Sequence, residues 1–200
     1  MNNNVIGYTL YAHDNDTEMY PRASTVISRC PICGARTELF PHNPKYVFQR
    51  NFTVPYSEDK IEVSHRATDC SCTYDGQFIV TKHFKDFCEK QAYSGLRFLG
   101  FNKDKYHFQL IVTNEVEVNT NKSNIRYEKQ CPFCELCEWV GPTPEYYDIS
   151  TPLPDGFYRS DLIIGPYYAR HPQIIVGAVT MQKILDEKFK GIIFDPIFGA

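Results

Sequence analysis

The sequence predicts an α+β fold of two pseudo-repeated lobes, each a CxxC knuckle followed by a strand–helix–strand unit, joined where the knuckles meet. Three observations predict it. Two matched motifs, Cys30-Pro31-Ile32-Cys33 and Cys131-Pro132-Phe133-Cys134, stand far apart in the chain. Each is followed by an apolar run, a stripe at helical spacing, a glycine and a second apolar run. Tyr106–Val118 alternates as a strand does, with Phe108, Leu110 and Val112 on one face and Val116 and Val118 continuing the pattern.

Before the first knuckle, Val5-Ile6-Gly7-Tyr8-Thr9-Leu10-Tyr11 reads as a strand leading to a polar turn at His13–Glu18. Tyr46–Val54 is also β-rich. In the first unit Gln77-Phe78-Ile79-Val80 is a short buried strand, and Gly95-Leu96-Arg97-Phe98 begins 15 residues after Val80. In the second unit Gln173-Ile174-Ile175-Val176 and Gly191-Ile192-Ile193-Phe194 repeat that spacing. Between them, Phe84, Phe87, Cys88 and Ala92 form one helical stripe, and Met181, Ile184, Leu185 and Phe189 form the other. Gly95 and Gly191 are the expected helix stops. The same order of elements twice predicts residues 1–200 to be one domain with an internal duplication, its halves near 1–120 and 121–200. Residues 77–99 and 173–195 should superpose, and the two strands of each unit are expected as parallel neighbours.

Composition bounds the function. An apolar fraction of 42% and a charged fraction of 22% describe a globular chain, and 14 Tyr with 14 Phe suit strands and contact surfaces. The formal charge is -3 and no block of Lys or Arg stands out, which counts against a general nucleic-acid binder. Met1-Asn2-Asn3-Asn4 lacks the charged and apolar regions of a secretory signal, and runs such as Ile174-Ile175-Val176 are too short to span a bilayer. A cytoplasmic protein without membrane contact is expected. Its eight cysteines are then metal ligands, redox groups or core residues rather than disulfides.

A CxxC turn places two thiolates one metal's width apart, and two turns complete a tetrahedral site. Cys30, Cys33, Cys131 and Cys134 are therefore the expected ligands of one structural zinc ion. Proline after the first cysteine presets φ, and Gly34 after the second permits positive φ. Glu135 stands where the second copy would have that glycine. The 97 residues between Cys33 and Cys131 far exceed the usual ribbon spacing. Loop closure over that extra length costs only about 1.4 kcal/mol, against about 10–16 kcal/mol of apparent binding at structural zinc sites. The metal would staple two distant parts of the chain. A thioredoxin-like dithiol fits two matched turns poorly. Cys70, Cys72 and Cys137 stand as substitute ligands or as core or surface thiols, and Cys88 as helix packing.

No HExxH, GxSxG, Walker or GxGxxG motif is present. His13, His42, His65, His83, His107 and His171 are scattered without ligand spacing. A closed four-thiolate site leaves no position for an activated water, so no enzyme is expected. Gly141–Gly156, with four prolines, reads as an irregular connector.

The two motifs, with Gly34 and the closing Gly191-Ile192-Ile193-Phe194-Asp195-Pro196-Ile197, resemble the bacterial double-CXXCG family. Some of its members are immunity proteins of polymorphic toxin systems. The resemblance implies a cytoplasmic protein that binds and neutralises a cognate toxin protein. Glu145, Tyr146, Tyr147 and Asp148 in the Pro-rich connector are then candidate partner contacts, the alternative being tyrosines that pack on the nearby sheet. The second functional reading is a zinc-ribbon adaptor on nucleic acid or a transcription complex, which should show a basic face.

Overall fold

The computed structural model describes residues 4–15, 30–33, 68–74, 76–101, 104–166 and 171–200. In chain order the elements are β1 (Val5–Asp14), β2 (Cys70–Cys72), β3 (Phe78–Thr81), α1 (Lys82–Lys90), β4 (Leu96–Gly100), β5 (His107–Val112) and β6 (Glu115–Val116). There follow β7 (Arg126–Gln130), β8 (Cys137–Gly141), β9 (Tyr146–Tyr147), β10 (Phe157–Pro166), β11 (His171–Val176), α2 (Ala178–Asp186) and β12 (Ile192–Gly199).

This corrects the expected α+β fold of two pseudo-repeated lobes. The twelve strands form one large mixed sheet, and among the described residues only two nine-residue helices accompany it. The main path runs β4-β5-β3-β2-β1-β11-β10-β8-β7. β12 joins β1 and β9, and β6 joins β10. Lobes fail because hydrogen bonding is continuous through β1, which pairs with β2 in parallel and with β11 and β12 antiparallel.

Residues 78–100 and 171–199 each contain strand, helix and strand, but the two strands of a unit are not neighbours. β3 and β4 both pair antiparallel with β5, so they run parallel with β5 between them. β11 and β12 run parallel about β1 in the same way, with Thr9 flanked by Ile175 and Asp195. Gly95 and Gly191 do have positive φ, 75 and 84, but they are not the helix stops: α1 and α2 are capped at Gln91 and Glu187, each followed by a left-handed residue, Ala92 at φ 55 and Lys188 at φ 59.

Two cores lie on opposite faces of the sheet. Along β11, Ile174 and Val176 enter one cluster with Leu10, Val80, Phe84, Phe87, Phe157 and Ile184, while Ile175 enters the other with Ile6, Val140, Tyr147, Leu162 and Ile197. Burial on both faces explains why β11 reads as an unbroken apolar run. A bulge between Val5 and Gly7 sends Ile6 to the second cluster, although Tyr8, Leu10 and Ala12 face the first. The strand expected over Tyr106–Val118 breaks at Thr113-Asn114, and Val116 and Val118 enter the second cluster rather than continuing the face of Leu110 and Val112. The connector after β8 is also partly regular. Tyr146 and Tyr147 pair in parallel with Phe198 and Gly199. The β-rich reading of Tyr46–Val54 lies outside the described residues, as do residues 16–18 of the expected turn, whose His13 and Asp14 instead belong to β1.

Candidate metal centre

The second knuckle caps a hairpin. β7 and β8 pair antiparallel up to Gln130 and Cys137, and Cys131-Pro132-Phe133-Cys134 makes the turn between them. The Glu135 amide donates to the Cys131 carbonyl at 2.9 Å, and the Cys131 amide donates to the Leu136 carbonyl at 2.8 Å. Closing that turn needs a left-handed residue after Cys134. Glu135 supplies it at φ 59 despite its side chain, and Gln130 Nε2 donates to its carbonyl at 3.0 Å. The missing glycine of the motif is thus a tolerated strain, about 1–2 kcal/mol for an L-residue in this region. Gly34, its counterpart, lies outside the described residues.

The structure brings Cys30, Cys33, Cys131 and Cys134 together, with all four Sγ atoms within 4.8 Å of one another. Across the knuckles, Cys30 Sγ lies 3.8 Å from Cys131 Sγ and Cys33 Sγ lies 3.5 Å from Cys134 Sγ. A tetrahedral ion with metal–sulfur bonds of about 2.3 Å has edges of about 3.8 Å, so the donor set fits a metal ion. Cys30, Cys131 and Cys134 are buried and Cys33 is half-buried. Among the described residues this is the one group of three or more metal-ligating side chains so gathered.

The electrostatics of the thiols also suit a cation. Burial opposes ionisation of Cys30, but the Cys33 and Ile32 amides and the Cys33 and Cys134 thiols outweigh it and bring it down to about 6. The Cys134 and Phe133 amides lower Cys131. Burial, reinforced by the other three thiols, pushes Cys134 up to about 12. The knuckle amides therefore favour the first thiolates, and accumulated charge resists the next. A dication at the centre removes that resistance.

The remaining cysteines lie elsewhere. Cys70 and Cys88 belong to the first core, and burial raises the pKa of both. Cys72 lies on β2, and Cys137 enters the second core. Cys137 nevertheless lines, with Ile32, Cys33, Cys131 and Pro132, an open cleft of about 430 Å³ beside the four sulfurs. Ile32 and Phe133, at the same position of the two knuckles, are each 63% exposed.

The candidate partner residues separate. Tyr147 is fully buried in the second core, because β9 sits between Val118 and Gly199 and turns that side chain inward. It offers no surface to a partner. Tyr146 is half-buried, its ring 5.7 Å from that of Phe198. Glu145 and Asp148 are exposed, and Asp148 accepts from Asn119 Nδ2 at 2.7 Å.

Sequence reasoning missed two buried polar groupings. Arg159, 5% exposed, points inward from β10 and is paired with Glu115. Thr180, on α2, donates to Asp155 at 2.6 Å and accepts from the Gly156 amide at 2.6 Å, while Lys183 reaches Asp155 at 2.7 Å and Gln91 at 2.9 Å. Their partners lie on separate segments, so no local pattern announces them. His107 bonds Asp104 at 2.6 Å, and His171 stacks near Phe78. His42 and His65 lie outside the described residues.

Comparison with family models, curated proteins and solved structures found no match. Among the described residues no helix is long and apolar enough to cross a membrane.

Proposed function

We propose that this is a non-catalytic binding protein whose four cysteines hold a structural zinc ion, and that it acts in the cytoplasm as an immunity protein against a cognate toxin. The observation that carries the metal reading is the convergence of two CPxC turns, with sulfurs 3.5 Å and 3.8 Å apart across the knuckles. All-thiolate tetrahedral donor sets belong to zinc or iron–sulfur chemistry, and two isolated CPxC knuckles favour zinc. Four thiolates fill the coordination sphere, leaving no place for an activated water. The zinc would tie residues 30–33 to the β7–β8 hairpin.

The immunity reading rests on the resemblance to the double-CXXCG family, and the net charge of -3 suits a basic, nuclease-like toxin. Glu145, Asp148 and the exposed part of Tyr146 are the contacts of that surface still available to a partner. Metal analysis of the purified protein should give one zinc per chain, and Cys131→Ser should abolish it and lower the melting temperature. Co-expression with a toxin encoded beside this gene should restore growth. A folded, zinc-loaded protein that neither binds that toxin nor rescues growth would sink immunity against that partner. Salt-sensitive binding to nucleic acid instead would favour the adaptor.

A further inference from the structure

We propose that the cysteine cluster is also a site of peroxide oxidation, entered at Cys33, that converts it into two disulfides between the knuckles, Cys33–Cys134 first and Cys30–Cys131 second. Exposure sets the point of entry. Cys30, Cys131 and Cys134 are 3%, 5% and 2% exposed, whereas Cys33 is half-buried and is the more exposed of the two cluster cysteines, Cys33 and Cys131, that line the open cleft. A small, uncharged two-electron oxidant such as hydrogen peroxide fits that cleft, and thiolate character with access governs which cysteine reacts.

Contacts across the knuckles carry the pairing, although Cys30 also touches Cys33 and Cys131 also touches Cys134. Cys134 Sγ lies 3.5 Å from Cys33 Sγ, positioned to resolve a sulfenic acid formed there. Closing to a bond of about 2.05 Å requires these sulfurs to approach by about 1.5 Å. Cys30 and Cys131, at 3.8 Å, are left as the second pair. The Cys33 thiolate takes an oxygen from peroxide and expels hydroxide. The Cys134 thiolate then attacks that sulfur and expels a second hydroxide. Repetition at Cys30 and Cys131 oxidises four thiolates by four electrons, reduces two peroxides to four hydroxides, and frees the metal dication. Both disulfides cross between residues 30–33 and 131–134, so a covalent staple replaces the metallic one. Cys137 lines the same cleft but lies outside the four-sulfur group and takes no part.

Metal release in this scheme rests on the zinc reading, whereas the disulfide pattern does not. The test treats the protein as purified with one, then two, equivalents of hydrogen peroxide. A chromogenic chelator follows zinc, and thiols are blocked before non-reducing digestion and mass mapping. One equivalent should give mainly the Cys33–Cys134 link, and two should add Cys30–Cys131 and release the zinc. A protein without zinc that yields the same links in the same order would overturn the zinc reading and uphold this one. Links within a knuckle, links to Cys137, links between chains, or Cys30–Cys131 forming first would each overturn the proposal. Cys137→Ser should leave the order of links unchanged, and a changed order counts against it.

Discussion

The strand–helix–strand segments around α1 and α2 share a topology and hold their helices by different means. α1 is held locally. Thr81 caps it by accepting from the Phe84 amide, and Lys82–Asp86 and Lys85–Glu89 pair along its surface at 2.5 Å and 2.6 Å. α2 begins at Gly177 with no side-chain cap. Its first turn is held from outside, by Asp155 and Gly156 through Thr180, and by a close approach of the 153–154 backbone to Gly177. The inserted strand differs likewise. β5 follows β4 directly, whereas β1 reaches its place between β11 and β12 from the other end of the chain. One arrangement can rest on local chemistry or on distant contacts, and the second makes the helix hostage to its surroundings.

The largest break in this comparison should come from Gly177→Ala. A Cβ there would lie 2.2 Å from the Pro154 carbonyl oxygen, which is backbone and cannot swing aside. A loss of about 3 kcal/mol is expected, read by urea unfolding. Thr180→Val should cost about 2 kcal/mol, because it keeps the shape but leaves the buried Gly156 amide without its hydroxyl acceptor. Thr81→Ala removes the cap of α1 and should cost about 1 kcal/mol, since water can still reach that helix end. If Thr81→Ala proves costlier than Thr180→Val, the contrast between local and distant support fails.

The smallest effect concerns pH. Burial opposes ionisation of Asp155, but Lys183 and Thr180 outweigh it and hold the carboxyl below its usual range. A carboxyl depressed in the folded state stabilises above its unfolded value of about 3.9 and loses that contribution as pH falls through the folded value. The pair is more than a third exposed, so its contribution at neutral pH should stay under about 1 kcal/mol. The stability gap between wild type and Lys183→Met should therefore be small at pH 7 and close on acidification. A gap independent of pH would assign Lys183 to packing over Tyr93 instead.

What could be read from the sequence follows the same division. The knuckles were legible because metal chemistry imposes fixed residues at fixed spacing. So were the stripes in part: Phe84, Phe87, Cys88 and Ile184 are buried, whereas Ala92 lies beyond the end of α1 and is exposed. Leu185, expected on the second stripe, is 50% exposed, because a nine-residue helix packs only a narrow face. The large sheet was not legible. β7 is exposed at all five positions and shows no apolar alternation. In β10, Arg159 occupies an inward position through its pairing with Glu115, and that interrupts the hydrophobic pattern. β9 hides among prolines, and a two-residue strand has no period to detect. No local signal places β1 between two elements of the opposite half.

That placement governs the order of assembly. Val5 pairs with Phe198 and Tyr8 with Val176, so β1 is made long before β11 and β12 and waits for them to complete its ladder. Until then β1 has only its short parallel pairing with β2 at His13 and Asp14, and Ile6 lacks Ile175 and Ile197 of its cluster. Contacts so remote in sequence slow the search for the native state and lengthen that wait. Synthesis should therefore pass through a stage at which β1 is still a substrate for chaperones, and the arrival of β11 and β12 acts as its release.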